Sequence, residues 1–552
     1  MNDLVNKSTL IVEDFAEFAR SVRAMMRALG ATDIDIVNNA EDAIDACKSK
    51  KYDIILADYN LGPKKDGQQL LEELVKNRQT KVNSVFLMLT AENSTAMVMG
   101  AVEYRPDSYI AKPFNGELLK SRLRKAMVKK QALSPINKAM ANEDWQKALD
   151  QIKIVITEHA KYKMSCLRLK YQSLKNLSHY DDALKLVTSI VSQRAIPWAL
   201  EAVGELYYLK NQLDKSQDVF INMVKEFPMS LEGYDWLAKV QHKMGEPIKA
   251  QETLIKAVQK SPKALDRQKM LGSLAEHNND IDRMIIAYRN AVKYSENSSF
   301  ASPDEYINFT LAVTKQLNSD KEFDRKKLAQ EAETTFAKLK ENLASTQSTT
   351  LRSNVAQASF YTSNDQQDKA THLLEKVERN LHDLAEQLPV SVSLELCNTL
   401  TKLDKVDMAQ QIINEAIQQN LDNSDFMAKA AKLTNNPELI ESCKRASQYN
   451  NKAIEHFKKK QYQDSASWFN KAHQLTSTNI NIRLNYVQTL LKQLQTEGTT
   501  SEIITLAEQL LGGIKELPFS DRRYSRYSEL SRLVQMISRK FKDETNESNT
   551  KQ

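Results

Sequence analysis

Glycine and proline are both scarce in this chain, 12 of each among 552 residues. All-β architectures place those residues at their many tight turns. A sandwich or barrel is therefore disfavoured, and the abundance of Lys, Glu, Ala, Leu and Gln points to a largely helical protein. Cys47, Cys166, Cys397 and Cys443 lie far apart and form no CxxC pair, which argues against a zinc site or a disulfide framework and for a reducing cytoplasm. No apolar run approaches the roughly 18 residues of a spanning helix. Met1 leads into Asn2 and Asp3 rather than a basic leader, so a soluble, unsecreted protein without a membrane partner is expected. Neither charge is much in excess: 77 basic against 71 acidic side chains leave +6, small for this length and scattered, and nucleic acid is not implied. Walker loops, HExxH, nucleophile elbows and paired Cys/His spacings are all missing, and no enzymatic turnover of an outside substrate is expected. The eight histidines are dispersed and read as packing or surface residues rather than ligands or phosphorelay sites. Basic clusters at Lys458–Lys460 and Arg522–Tyr527 stand among acids and read as solvated helix faces.

A chain this long needs more than one core. Over the first 130 residues, short apolar runs alternate with amphipathic ones. Thr9–Val12, Asp33–Val37, Asp53–Ala57, Val85–Leu89 and Ser108–Ala111 read as strands. Helical stretches are predicted near Phe15–Leu29, Glu41–Lys50, Gln68–Lys76, Ser94–Val102 and Asn115–Lys130. Five strands alternating with helices predict a parallel, doubly wound α/β sheet whose ligands sit beyond the carboxyl ends of the strands. At those ends stand Glu13 and Asp14, then Asp58, Thr90, and Lys112 followed by Pro113. Clustered carboxylates repel unless a cation joins them. A hard ion such as Mg²⁺ fits that need, and beside it Asp58 can act as a nucleophile on a phosphoryl group.

On these residues, 8–130 resembles a response-regulator receiver domain of the CheY type, flavodoxin-like with a five-stranded parallel sheet. The resemblance implies Asp58 as phospho-acceptor, and Asp14 as a Mg²⁺ ligand with Glu13 acting directly or through water. It also implies a metal contact from the Asn60 backbone carbonyl, Lys112 and Thr90 on the phosphoryl oxygens, and Tyr109 as an aromatic switch. Asn60 and Glu92 match positions that tune loss of the phosphate. The loop after Asp58, NLGPKKDG, is one residue longer than usual and brings Lys64 and Lys65 near the site.

Residues 131–136 read as a linker, after which only helical periodicity remains. Gly204, Ala238 and Gly272 are 34 residues apart, as are Phe220, Leu254 and Tyr288, and Met223, Ala257 and Ala291. Pro228 and Pro262 fall in the same register. This period, with a small residue in one helix and a small–large–small pattern in the next, resembles the tetratricopeptide repeat (TPR). Residues 137–296 are expected to form such repeats, 297–542 further irregular and TPR-like helices, and 543–552 a disordered tail. Repeat solenoids bind peptides or helices. The reading is thus a two-component signalling protein, a phosphoprotein accepting phosphate from a histidine kinase or phosphotransfer protein. It would act through an arm that binds another protein, with a receiver-mediated dimer as a further possibility. The alternative is a phosphate sink competing with another regulator for the kinase.

Overall fold

The structure is a computed structural model that describes residues 4–549 except 63, 92–105, 297, 299, 320–323, 343–346, 385–389, 499, 515–516 and 518–522. Glu92 and the helix expected near Ser94–Val102 lie outside the described residues.

Strands β1 (Thr9–Val12), β2 (Ile34–Val37), β3 (Ile54–Asp58), β4 (Val85–Thr90) and β5 (Ser108–Ala111) form one sheet in the order β2-β1-β3-β4-β5. Every pairing is parallel. The period of two along each strand sorts the core. Ile11, Ile54, Leu56, Leu87 and Leu89 face one side, packed by helices α1 (Ala16–Ala28) and α4 (Gly116–Ala141). Leu10, Val12, Ile55, Ala57 and Met88 face the other, under α2 (Ala40–Ser49) and α3 (Gly67–Lys76). Burial on both faces is why β1 and β3 read as nearly unbroken apolar runs. Three of these helices carry a start signal, whereas α1 begins after Phe15 without a side-chain cap. Asn39, Asp66 and Asn115 accept backbone hydrogen bonds at the beginnings of α2, α3 and α4, and Asp66 with Gln69 completes a capping box.

Two sequence expectations about boundaries are corrected. Residues 131–136 are not a linker: α4 runs unbroken through them, with Pro135 inside it. Ala132, Leu133, Ile136 and Ala139 are buried, and the last three join Ala148 and Ile152 in one cluster. That burial outweighs the one helical hydrogen bond a proline removes, and Pro135 sits on the exposed face where water can satisfy the freed carbonyl. At the other end, the helix Tyr524–Asn549 continues past Asp543. The tail residues after it contain neither glycine nor proline down to Asn549, so nothing local stops the helix.

The chain divides into two compact units, residues 1–312 and 313–552. In the first, the 34-residue period corresponds to packing. A Cβ on Gly204 would meet the Phe220 ring at 2.4 Å, and one on Gly272 the Tyr288 ring at 2.5 Å. Ala238 and Leu254 share a cluster one period between them. The helix-to-helix turns carry the same rhythm: Glu143, Ser178, Asn211, Gly245 and Asn279 all have positive φ, between 55° and 81°. A residue in this left-handed region ends each first helix and releases the chain into the second. The loop after the helix Ile281–Ser295 reaches the receiver, where Ser298 Oγ donates to Glu72 Oε2 at 3.2 Å and the Lys76 ammonium lies 4.8 Å from the centre of the Phe300 ring.

In the second unit, where the register is lost, the structure still has helices at Arg325–Asn342 and Gln347–Ser363. A core from Leu351 to Cys443 follows, and another from Ala453 to Val534. Asp365, Asp404 and Lys460 repeat the positive-φ turn there, without even spacing. Among the described residues, no helix is long and apolar enough to cross a membrane.

Candidate phosphoryl-acceptor site

Asp58 is the last residue of β3, paired in register with Leu89 of β4. Its neighbours Tyr59 and Gly67 close the turn: the Tyr59 N–H donates to the Leu89 carbonyl and the Gly67 N–H to the Tyr59 carbonyl, both at 2.8 Å. Glu13 and Asp14 follow β1, whose partner in the sheet is β3, so adjacent strands bring three carboxylates to one place. Their oxygens lie within 4.8 Å of one another; Glu13 and Asp58 are buried and Asp14 is exposed.

One cation stands among these acids. Lys112 Nζ is 2.8 Å from Glu13 Oε2 and 2.9 Å from Asp58 Oδ2. Its backbone N–H donates to the Thr90 carbonyl at 2.7 Å, which fixes the lysine against the end of β4. The ammonium also lies 4.3 Å from the centre of the Phe18 ring, and Phe18 meets Phe114 edge-on at 5.6 Å. Burial pushes the Glu13 and Asp58 carboxyls above their ordinary pKa, and the Lys112 hydrogen bond to each pulls the other way. One ammonium between two buried carboxylates, with a third carboxylate beside them, leaves an excess of negative charge. Such a set suits a divalent ion with hard oxygen ligands.

The structure thus brings together Glu13, Asp14, Asp58, Thr90 and Lys112. Asn60 follows one residue beyond Tyr59 with its side chain exposed. Tyr109, on β5, is half-buried against the β3–α3 core, and that burial raises its hydroxyl pKa. Lys65, expected beside the site, instead pairs with Glu73 on α3.

Two contributors were not anticipated. Phe18 is marked only as an apolar position on an amphipathic helix. Gly67 has a stronger signal, the Asp66–Gly67 pair: a Cβ there would lie 2.1 Å from the Asp58 carbonyl oxygen. Only glycine lets α3 begin so close to the acceptor strand.

Comparison with known proteins agrees with this geometry. The response regulator receiver domain family matches residues 9–124. Chemotaxis protein CheY-3 of Vibrio cholerae serotype O1 is 31% identical over 127 residues, which is 23% of this chain and 96% of that protein. Chemotaxis protein CheY of Pseudomonas aeruginosa is 29% identical over 116 residues, 21% of this chain and 92% of its own. Among solved structures, the receiver domain of a modulated diguanylate cyclase from Desulfovibrio desulfuricans G20 is 26% identical, with 23% of this chain and 98% of that one covered and a TM-score of 0.21. With its five-stranded parallel sheet, its acidic strand ends and its match to the Vibrio cholerae CheY-3 sequence, the chain belongs to the response-regulator family through an N-terminal, CheY-like receiver domain.

Proposed function

We propose that this protein accepts a phosphoryl group on Asp58 from a histidine kinase or phosphotransfer protein, and signals through protein–protein contacts of its helical arm rather than by binding DNA. The observation that carries the chemistry is Asp58 itself, a buried carboxylate at a strand end, flanked by Glu13 and Asp14 and held by Lys112 at 2.9 Å. Glu13, Asp14, Asp58 and the Asn60 carbonyl would hold Mg²⁺, which when bound offsets negative charge on the incoming phosphate. Asp58 then supplies the attacking oxygen, forming the new P–O bond as the bond from phosphorus to the donor breaks. Lys112 and Thr90 would bond the transferred oxygens, where charge-assisted contacts are strongest. Asn60 and Glu92 tune hydrolysis, so the protein catalyses only its own phosphorylation and dephosphorylation, in the cytoplasm.

The reading of the arm as TPR-like rests on the recurring positive-φ turns and on Gly204 and Gly272 under the Phe220 and Tyr288 rings. A solenoid of such repeats presents a surface for a peptide or helix of another protein. Tyr109 would couple the phosphoryl state to that arm or to a receiver-mediated dimer.

The test uses the full chain with Mg²⁺ and acetyl phosphate. One acid-stable, base-labile phosphoryl group should appear on Asp58, and Asp14→Ala should suppress it. Labelling that survives Asp58→Asn, or that needs no divalent ion, would remove the assignment. Light scattering and hydrogen exchange with and without beryllofluoride then read the coupling, which Tyr109→Ala should abolish.

A further inference from the structure

Basic residues, scattered as they look along the sequence, are dense on one helix. Between Gly116 and Ala141 stand seven lysines and arginines against one acid, Glu117, so α4 alone carries +6, the net charge of the entire chain. A charge this concentrated on one helix asks for an anion.

The same helix walls a cavity. At the amino-terminal ends of β3 and β4, about 15 Å along β3 from Asp58 at roughly 3.3 Å per residue, α4 and the sheet line an open cavity of about 780 Å³. Sites for small organic ligands span about 300–1,000 Å³. The walls are divided by chemistry. Ile54, Val85 and Leu123 supply buried apolar surface. Lys7, Lys81, Lys120, Arg124, Lys130 and Lys138 supply cations, and Asp53 is the one acid in the lining. Part of that charge is answered: Lys81 reaches Asp53 at 2.9 Å, Lys7 reaches it at 4.0 Å, and Lys130 reaches Asp107 at 3.1 Å. Lys120, Arg124 and Lys138 make no ion pair among the described residues.

A third kind of group completes the set. Asn83 also lines the cavity, and its Nδ2 donates to Ser134 Oγ on α4 at 2.6 Å. Its Oδ1 is buried and finds no donor among the described residues. An apolar wall, a carboxamide oxygen in need of an N–H, and unanswered cations are the complement of a flat heterocycle that carries both a donor and phosphate.

We propose that this cavity is a nucleotide site, in which a base lies against the apolar wall near Asn83 and its phosphates meet Lys120, Arg124 and Lys138. It is separate from the Asp58 site and does not depend on the phosphoryl-acceptor reading. Because the lining includes both the sheet and residues 131–138 of α4, a bound nucleotide would fasten the emerging helix to the receiver.

Isothermal titration of the full chain with ATP and GTP tests this, in EDTA so that the acidic site holds no metal, alongside adenosine and tripolyphosphate. One saturable site is expected for at least one nucleotide, with adenosine and tripolyphosphate at least about tenfold weaker. Replacing the exposed pair Lys120→Gln and Arg124→Gln should weaken the nucleotide at least about tenfold. The pair Arg122→Gln and Lys125→Gln, which removes the same charge from the same helix but does not line the cavity, should change it less than about twofold. Absence of a saturable site, tripolyphosphate binding as tightly as the nucleotides, or equal losses in the Arg122/Lys125 and Lys120/Arg124 variants would each overturn the proposal.

Discussion

Three glycines in and beside the receiver should respond to the same substitution in three different ways. At Gly67 an added Cβ would sit 2.1 Å from the Asp58 carbonyl oxygen and 3.0 Å from Met88 Sδ. The obstacle is backbone locked into the sheet, so α3 must retreat by about 1 Å. Overpacking of this kind costs about 1–3 kcal/mol. The 2.8 Å hydrogen bond from the Gly67 N–H to the Tyr59 carbonyl stretches as well, a further loss of about 0.5–1.5 kcal/mol. Alanine's higher helix propensity returns at most about 1 kcal/mol. The net loss for Gly67→Ala is therefore about 2 kcal/mol, which appears as roughly 30-fold faster hydrogen exchange of the β3 and β4 amides. Exchange reads the receiver without interference from the arm. Acetyl-phosphate labelling of Asp58 should fall with it, because the displaced helix start adjoins the acceptor. At Gly62 nothing lies within 4 Å, but φ is +98°. Gly62→Ala should cost about 1–2 kcal/mol through backbone strain confined to the loop. At Gly116 the nearest atom is Met25 Cγ at 3.9 Å, and Gly116→Ala should stabilise by about 0.4–1 kcal/mol. Wild-type exchange and labelling in Gly67→Ala would refute the reasoning, and so would a shared response at all three positions.

Further tests follow from other contacts. Since burial raises the Asp58 carboxyl pKa, its ionised form weakens the native state at neutral pH, and Asp58→Asn should stabilise the receiver there. That gain should shrink as pH falls through the raised pKa, as the wild-type carboxyl takes up its proton; a gain that grows in acid would refute it. Mg²⁺ at a hundred times its dissociation constant should add about 2.7 kcal/mol to receiver stability, an increment that Asp14→Ala should reduce and thermal scans would reveal. Gly204→Ala pushes a Cβ to 2.4 Å from the Phe220 ring, which is stacked on Trp236. It should cost about 1–2 kcal/mol, recovered in part by Phe220→Leu and read from Trp fluorescence during urea unfolding. Phe300→Ala removes the Lys76 contact, worth about 0.5–1 kcal/mol at an exposed site, and should raise exchange at the carboxyl end of α3.

The receiver was legible because its signals are local and redundant. β1 and β3 are buried on both faces, so their apolar runs are unbroken, and a carboxylate that makes no sense in a core follows the one and ends the other. The 34-residue register was legible for a related reason: Gly204 and Gly272 are small because rings lie on them. What misled was punctuation. Ser134–Pro135 looks like a break in sequence, but whether a proline ends a helix depends on what its neighbours bury, and Leu133 and Ile136 are buried only by tertiary contact. Gly67 was passed over as part of a turn, since a clash with the Asp58 carbonyl cannot be seen without coordinates. The net charge misled too, because a total conceals where its excess lies.

The continuity of α4 has a geometric consequence. A 26-residue helix is about 39 Å long, and each residue in it advances the chain by about 1.5 Å and turns it by about 100°. The receiver and the repeats that follow are therefore geared together rather than tethered. One residue inserted near Pro135 would swing everything beyond it by more than a quarter of a revolution. Seven would extend the shaft by about 10 Å yet restore its angular phase to within about 20°. Length variation in this segment should be tolerated in steps of whole turns, and signalling lost to a one- or two-residue insertion should return at seven.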